Sequence, residues 1–228
     1  MPRIARGLTD GYIYHVLNRG NGKQTVFHKD ADYEAFISLI RDAINQYSVK
    51  LFFYCLMPNH FHLVLSPEKS ADLSRWMQWV MTSQVRRYHK HYQSSGHVWQ
   101  GRFKSFIIQQ DHHLLTVGRY IEGNPVRSGF VKSAKDWVWS SHLETIGKRQ
   151  SGLLNALPIE LPADWNQYVD QPQTETEFAK LRQSMNRQSP YGNIDWQLKV
   201  SQELDLESTI RPRGRPTKEV KKSSLSPF

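Results

Sequence analysis

Apolar residues change their spacing along this chain, from alternating or unbroken runs to every third or fourth position, and the changes mark out its elements. Residues 11–17 hold Tyr12, Ile13, Tyr14, Val16 and Leu17, which favour extended backbone and predict a first strand; Asn18-Arg19-Gly20-Asn21-Gly22 ends it as a turn. Over residues 30–47 the apolar positions are Tyr33, Phe36, Ile37, Ile40, Ala43, Ile44 and Tyr47, the spacing of an amphipathic helix. Residues 49–57 form a nearly continuous apolar run of strand length, and Pro58-Asn59 turns it back into a further strand that starts at His60, predicting a central hairpin. A second amphipathic helix is predicted over residues 72–91, with Leu73, Trp76, Met77, Val80, Met81, Gln84, Val85 and Tyr88 on one face. Residues 106–109 make another strand, and Asp111 opens a helix whose stripe is Leu114, Val117 and Ile121. Strand, helix, strand, strand, helix, strand is the ferredoxin-like, split-βαβ order. The expected fold class is therefore α+β: a central antiparallel sheet with helices packed on it, followed by a C-terminal extension.

That extension begins where the composition shifts, near Gly147. Before it, residues 129–143 carry Trp137, Val138 and Trp139 and read as an edge strand or a covering segment. Beyond it, short pieces at 153–161 and 165–169 and helices over 175–183 and 194–204 are expected. The division expected is a main domain over residues 1–145, an extension over 146–210, and a basic tail over 211–228. The tail, with Arg213, Arg215, Lys218, Lys221 and Lys222 among prolines, is too polar to fold alone. Arg213-Gly214-Arg215-Pro216 matches the core of AT-hook-like minor-groove binders, and equally a solubilising basic tail.

Composition narrows the partner before it says anything of chemistry. In 228 residues the hydrophobic fraction is 39%, enough for a packed core, and the formal net charge is +9, which calls for an anionic partner such as nucleic acid. Charge alone leaves ribosomal proteins, nucleases and membrane-surface binders open. The single cysteine, Cys55, excludes an internal disulfide or a cysteine-rich zinc site, as expected of a reducing, cytoplasmic setting, and its apolar neighbours predict a buried thiol. No apolar stretch has the length of a membrane span, and the first residues lack the apolar segment of a signal peptide, so no membrane partner is expected.

The candidate chemistry starts from His60-Phe61-His62. Strand alternation points Phe61, Leu63 and Leu65 to one face and His60 and His62 to the other. Two imidazoles so placed are half of a metal site, or only the polar face of a strand. In the helix that opens at Asp111, Tyr120 lies about 100° round from Ile121, at the margin of the apolar stripe, where a ring can pack while its hydroxyl meets a cleft. A packing role explains it as well. Asn124 stands one turn on and could offer a side-chain oxygen, although Pro125 disfavours helical geometry there. Arg86 and Arg87, with Arg75 and Lys90, lie opposite the apolar face of their helix and could follow a phosphate backbone or simply face solvent.

Taken together, several blocks resemble the single-tyrosine HUH transposases, and among them the REP-associated tyrosine transposases. They are Tyr14-His15-Val16 with Asn18-Arg19-Gly20, Pro58-Asn59-His60-Phe61-His62-Leu63, Gly101-Arg102-Phe103-Lys104, Arg119-Tyr120-Ile121, Asn124-Pro125-Val126-Arg127-Ser128-Gly129, and Trp139-Ser140-Ser141. The resemblance spans roughly residues 7–142 in the family's order. It implies a bacterial endonuclease and strand transferase for single-stranded DNA, acting at REP-like palindromic hairpins through a 5′-phosphotyrosine intermediate. Tyr120 becomes the nucleophile and His60, His62 and Asn124 the ligands of Mg²⁺ or Mn²⁺. Many relatives carry Gln or Glu at the third-ligand position, where Asn124 is shorter. Candidates for gripping DNA are Arg3, Arg6, Arg19, Arg86, Arg87, Arg102, Lys104, Arg127, Arg213 and Arg215. A nucleoid-associated monomer is expected; the alternative is a hairpin-binding protein that does not cut.

Overall fold

The computed structural model describes residues 7–211. Its order is β1 (Ile13–Arg19), α1 (Asp30–Gln46), β2 (Val49–Met57), β3 (His60–Pro67), α2 (Ser70–Tyr92), β4 (Lys104–Ile108), α3 (His112–Glu122) and α4 (Asn124–Arg127). Short helices α5 (His142–Thr145) and α6 (Trp165–Asp170) follow, then α7 (Glu175–Arg187), α8 (Ile194–Glu203) and α9 (Glu207–Ile210). The four strands pair antiparallel in the order β2-β3-β1-β4, the ferredoxin-like arrangement that the sequence pattern predicts. Arg3, Arg6, Arg213 and Arg215, and all of the basic tail beyond Arg211, lie outside the described residues. Among the described residues no helix is long and apolar enough to cross a membrane.

Strand alternation divides the core into two layers. Phe61, Leu63 and Leu65 of β3, with Tyr14 and Val16 of β1, face α1 and α2 and pack against Phe36, Ile40, Leu73, Trp76 and Met77. Val64, Ile13 and Phe106 face the other way, onto Leu114, Val117 and Ile121 of α3. In β2 a register shift between Leu51 and Phe53 inserts one residue, so consecutive Phe52 and Phe53 both join the α3 layer. Residues 129–143 form no strand; they cover the β2 edge, where Leu56 N donates to Trp139 O at 2.9 Å and Tyr54 N to Ser141 Oγ at 3.1 Å. Cys55 is buried, as its neighbours predict, and burial pushes its thiol well above the usual range.

The extension packs on the same sheet. Trp165 and Val169 of α6 and Leu181 and Met185 of α7 enter the α3 layer. Helix α7 is four residues longer than the pattern suggests and starts with a capping box: Thr174 Oγ1 accepts from Glu177 N while Glu177 accepts from Thr174 N.

Gly118 sets how closely α3 approaches β2. A Cβ at this position would lie 2.7 Å from Cζ of Phe53, itself fully buried and stacked on Trp165. Ala ordinarily gains up to about 1 kcal/mol over Gly inside a helix, but overpacking costs about 1–3 kcal/mol and outweighs it here. Gly118→Ala should therefore destabilise the protein by about 1–2 kcal/mol, measurable as a lower urea midpoint, where an exposed helical site would give a gain.

Candidate active site

The floor of the site follows from register. Leu17 of β1 lies opposite His62 of β3 and Lys104 of β4, and Arg19 lies opposite His60. Side chains of these paired residues share a face, so two imidazoles and two cations emerge together on the α3 side. Arg19, His60, His62 and Lys104 line one cleft of about 430 Å³ together with Arg102, Tyr120, Arg182, Met185 and Asn186. Its lining residues include four cations and no carboxylate.

Helix α3 brings the phenol there. Asp111 caps it, its side chain accepting from His113 N at 2.8 Å, and the apolar stripe seats it on the sheet. Tyr120, only 8% exposed, meets His62 edge-on with ring centroids 5.8 Å apart. The Arg127 guanidinium lies 4.2 Å over the Tyr120 ring and donates to the Tyr120 carbonyl at 3.0 Å, while Phe178 of α7 packs edge-on at 5.5 Å. Burial raises the phenol above its ordinary value, and the positive charge of Arg127 works against that rise. Arg127 therefore sits behind the phenol, with its charge directed at the ring.

The two histidines are held neutral. Burial, with Arg19 and Arg127 nearby, pushes His60 down to about 4, and burial beside His15 and His60 holds His62 well below the usual imidazole range. His60 Nδ1 donates to Asn59 Oδ1 at 2.7 Å, which fixes its proton on Nδ1 and leaves Nε2 as the acceptor nitrogen, turned toward Asn124. Helix α3 ends at Glu122, but Asn124 is itself helical despite the following proline: it opens α4, where Pro125 needs no N–H partner, and its Nδ2 lies 3.1 Å from His60 Nε2. A neutral imidazole lone pair with a side-chain amide within reach is a donor set that fits a divalent ion, since turning the amide over replaces its nitrogen with an oxygen. Among the described residues, one group of three His, Cys, Asp or Glu side chains could also hold an ion: Asp111, His112 and His113, at the opposite end of α3 from Tyr120.

The predicted DNA-contacting residues divide by location. Arg19, Arg102 and Lys104 face the cleft. Helix α2 packs on the opposite sheet face, where Arg87 is committed to Asp32 Oδ1 at 3.2 Å and Ala31 O at 3.1 Å. Arg86 lines a second groove of about 660 Å³ with His97, Met81 and Arg102, so Arg102 stands between that groove and the cleft. Sequence reasoning missed Arg182, Met185 and Asn186, the α7 wall of the cleft. The Thr174-x-x-Glu177 signature could have placed the start of this helix; nothing in its spacing tells which sheet face receives it.

The family model described as "Transposase IS200 like" matches residues 9–124, which include the imidazoles, Tyr120 and Asn124. A REP-associated tyrosine transposase of Haemophilus influenzae is 30% identical over 155 residues, 62% of this chain and 85% of that protein. One of Escherichia coli is 30% identical over 90 residues, 39% of this chain and 51% of that protein. A solved REP-associated tyrosine transposase bound to a REP hairpin superposes with a TM-score of 0.55 at 18% identity, over 76% of this chain and 93% of that one.

Proposed function

Because this chain belongs to the IS200-like transposases, in their REP-associated tyrosine branch, we propose that it cleaves and rejoins single-stranded DNA at REP-like hairpins through a covalent bond to Tyr120. The observation that carries this reading is the convergence of Tyr120, His60 and His62 on one cleft lined with cations. Tyr120 Oη attacks the scissile phosphorus and loses its proton to solvent, while the P–O3′ bond breaks and the 3′ oxygen takes up a proton and leaves as a hydroxyl, so a 5′-phosphotyrosyl bond replaces the phosphodiester. A 3′ hydroxyl attacking that bond runs the step in reverse, without a nucleotide cofactor, because the phosphodiester energy is kept.

His60, His62 and Asn124 would hold Mg²⁺ or Mn²⁺, which when bound acts as a Lewis acid on the phosphate oxygens. Two neutral imidazoles and a neutral amide leave the ion its full charge, and the nitrogen donors favour Mn²⁺. Arg19, Arg102 and Lys104 contact the phosphates on either side of the cut, and Arg102 leads the strand toward Arg86. Residues 1–145 thus carry the chemistry, and the 146–210 extension supplies the far wall through α7. That the wall comes from the same chain supports action as a monomer.

Arg182, exposed and held 4.4 Å over the Phe178 ring, is assigned to DNA contact. Arg182→Ala should weaken hairpin binding by about 3–10-fold and flatten the salt dependence by about one counterion, while the adduct yield at saturating DNA stays within about twofold. Filter binding across a salt series measures both.

Short hairpin oligonucleotides with single-stranded flanks and Mn²⁺, analysed on denaturing gels, test the function itself. A protein–DNA band that survives denaturation is expected. Tight hairpin binding with no such band would instead support a binding protein that does not cut.

A further inference from the structure

The two imidazoles of the cleft are held by different partners. His60 is fixed by an amide oxygen, Asn59 Oδ1. Among the described residues His62 has no oxygen partner at Nδ1; that atom meets Nε2 of His15 at 2.8 Å. His15 lies on β1 opposite Val64, so His62 is its diagonal neighbour on the same sheet face. The two rings are fully or nearly fully buried and nearly parallel, with centroids 5.0 Å apart, and Phe106 closes on His15 edge-on at 4.8 Å.

Two neutral rings share this contact, so one N–H must point into it, and only two arrangements exist. If His15 donates from Nε2, the His62 proton sits on its own Nε2 and covers the lone pair that faces the cleft. If His62 donates from Nδ1, that lone pair is free and the His15 proton must sit on Nδ1. His15 Nδ1 is buried and has no hydrogen-bond partner among the described residues. Buried N–H groups left without a partner are rarer than buried acceptors left without one, so on local grounds alone the first arrangement is favoured. A divalent ion on His62 Nε2 reverses the preference, because it takes the lone pair that only the second arrangement offers.

We propose that His15 is a positioning residue: it accepts the Nδ1 proton of His62 and so holds His62 in the tautomer whose Nε2 can bind the cation. The assignment rests on the cation reading given above. It adds one residue of β1 behind the cation ligands and gives the unpartnered His15 nitrogen a physical reason to persist.

Two measurements on the full chain test it. In ¹⁵N-histidine long-range correlation spectra recorded with Zn²⁺ as a diamagnetic probe, both His62 and His15 should carry their protons on Nδ1. A His15 proton on Nε2 in that state overturns the proposal, whatever any variant does. Mn²⁺ titration followed by electron paramagnetic resonance, without DNA, gives the second readout. His15→Phe keeps a ring in the cavity and removes the acceptor, and should lower Mn²⁺ affinity about 10–100-fold. His15→Gln, whose amide oxygen reaches the same position, should recover most of it, which a purely structural defect would not. Unchanged affinity in His15→Phe, alongside lost affinity in His62→Ala, removes His15 from the site while leaving the cation reading intact. Unchanged affinity in His62→Ala removes the cation reading, and this proposal with it.

Discussion

Tyr120→Phe should abolish the covalent protein–DNA band, by about 10³-fold or more, while leaving hairpin affinity within about twofold of the unaltered protein. The substitution removes one oxygen and leaves the ring between His62, Arg127 and Phe178, so packing and the cationic wall persist. What disappears is the nucleophile. Labelled oligonucleotide on a denaturing gel, beside a native binding assay, separates the two effects. Cleavage that continues in Tyr120→Phe would point instead to hydrolysis by an activated water, with the phenol as a packing residue.

The largest stability effect should come from Glu122, two residues beyond the phenol and fully buried. Its carboxylate accepts from Ser141 Oγ at 2.5 Å and from Thr145 Oγ1, His142 Nδ1 and Trp165 Nε1, each at 2.7 Å. This one side chain ties α3 to the segment that covers β2 and to α6. Glu122→Ala leaves those donors buried without an acceptor, and breaking such a cluster costs about 3–5 kcal/mol. For a chain of this size that corresponds to a fall in Tm of roughly 6–20 °C. Burial alone would lower the pKa of His142, but its hydrogen bond to Glu122 and that charge outweigh burial and raise it. A raised folded value means that the contribution of His142 to stability is complete below about pH 6.5 and fades as pH climbs through the folded value. The Tm difference between the unaltered protein and His142→Asn should accordingly be largest near pH 6 and shrink toward about pH 9. A difference that grows over that range would refute the sign.

Much of the fold could be read from spacing because the elements that carry it are local. The α1 and α2 periodicities, the β2–β3 hairpin and the Asp111 cap each depend on residues within a turn or two of one another. The covering segment was ambiguous for the opposite reason: Trp137 and Trp139 look like strand residues, but their partners are the distant backbone of Leu56 and the ring of Tyr33. The site shows the same division. His60 and His62 declare their shared face by alternation, whereas nothing in the spacing tells that Arg127, a candidate for DNA contact, lies over the Tyr120 ring, or that Arg87 pairs with Asp32.

By itself the sequence determined the strand and helix order, the pairing of two imidazoles on one strand face, the basic balance, and a motif set specific enough to point to one family. Only the tertiary structure decided that Tyr120 faces His62, that His15 lies behind it, and that α7 forms the opposite wall. Periodicity is set by covalent geometry within one element, and it fixes which face of that element is apolar. Which face meets which is set by long-range packing, and no spacing along the chain encodes it.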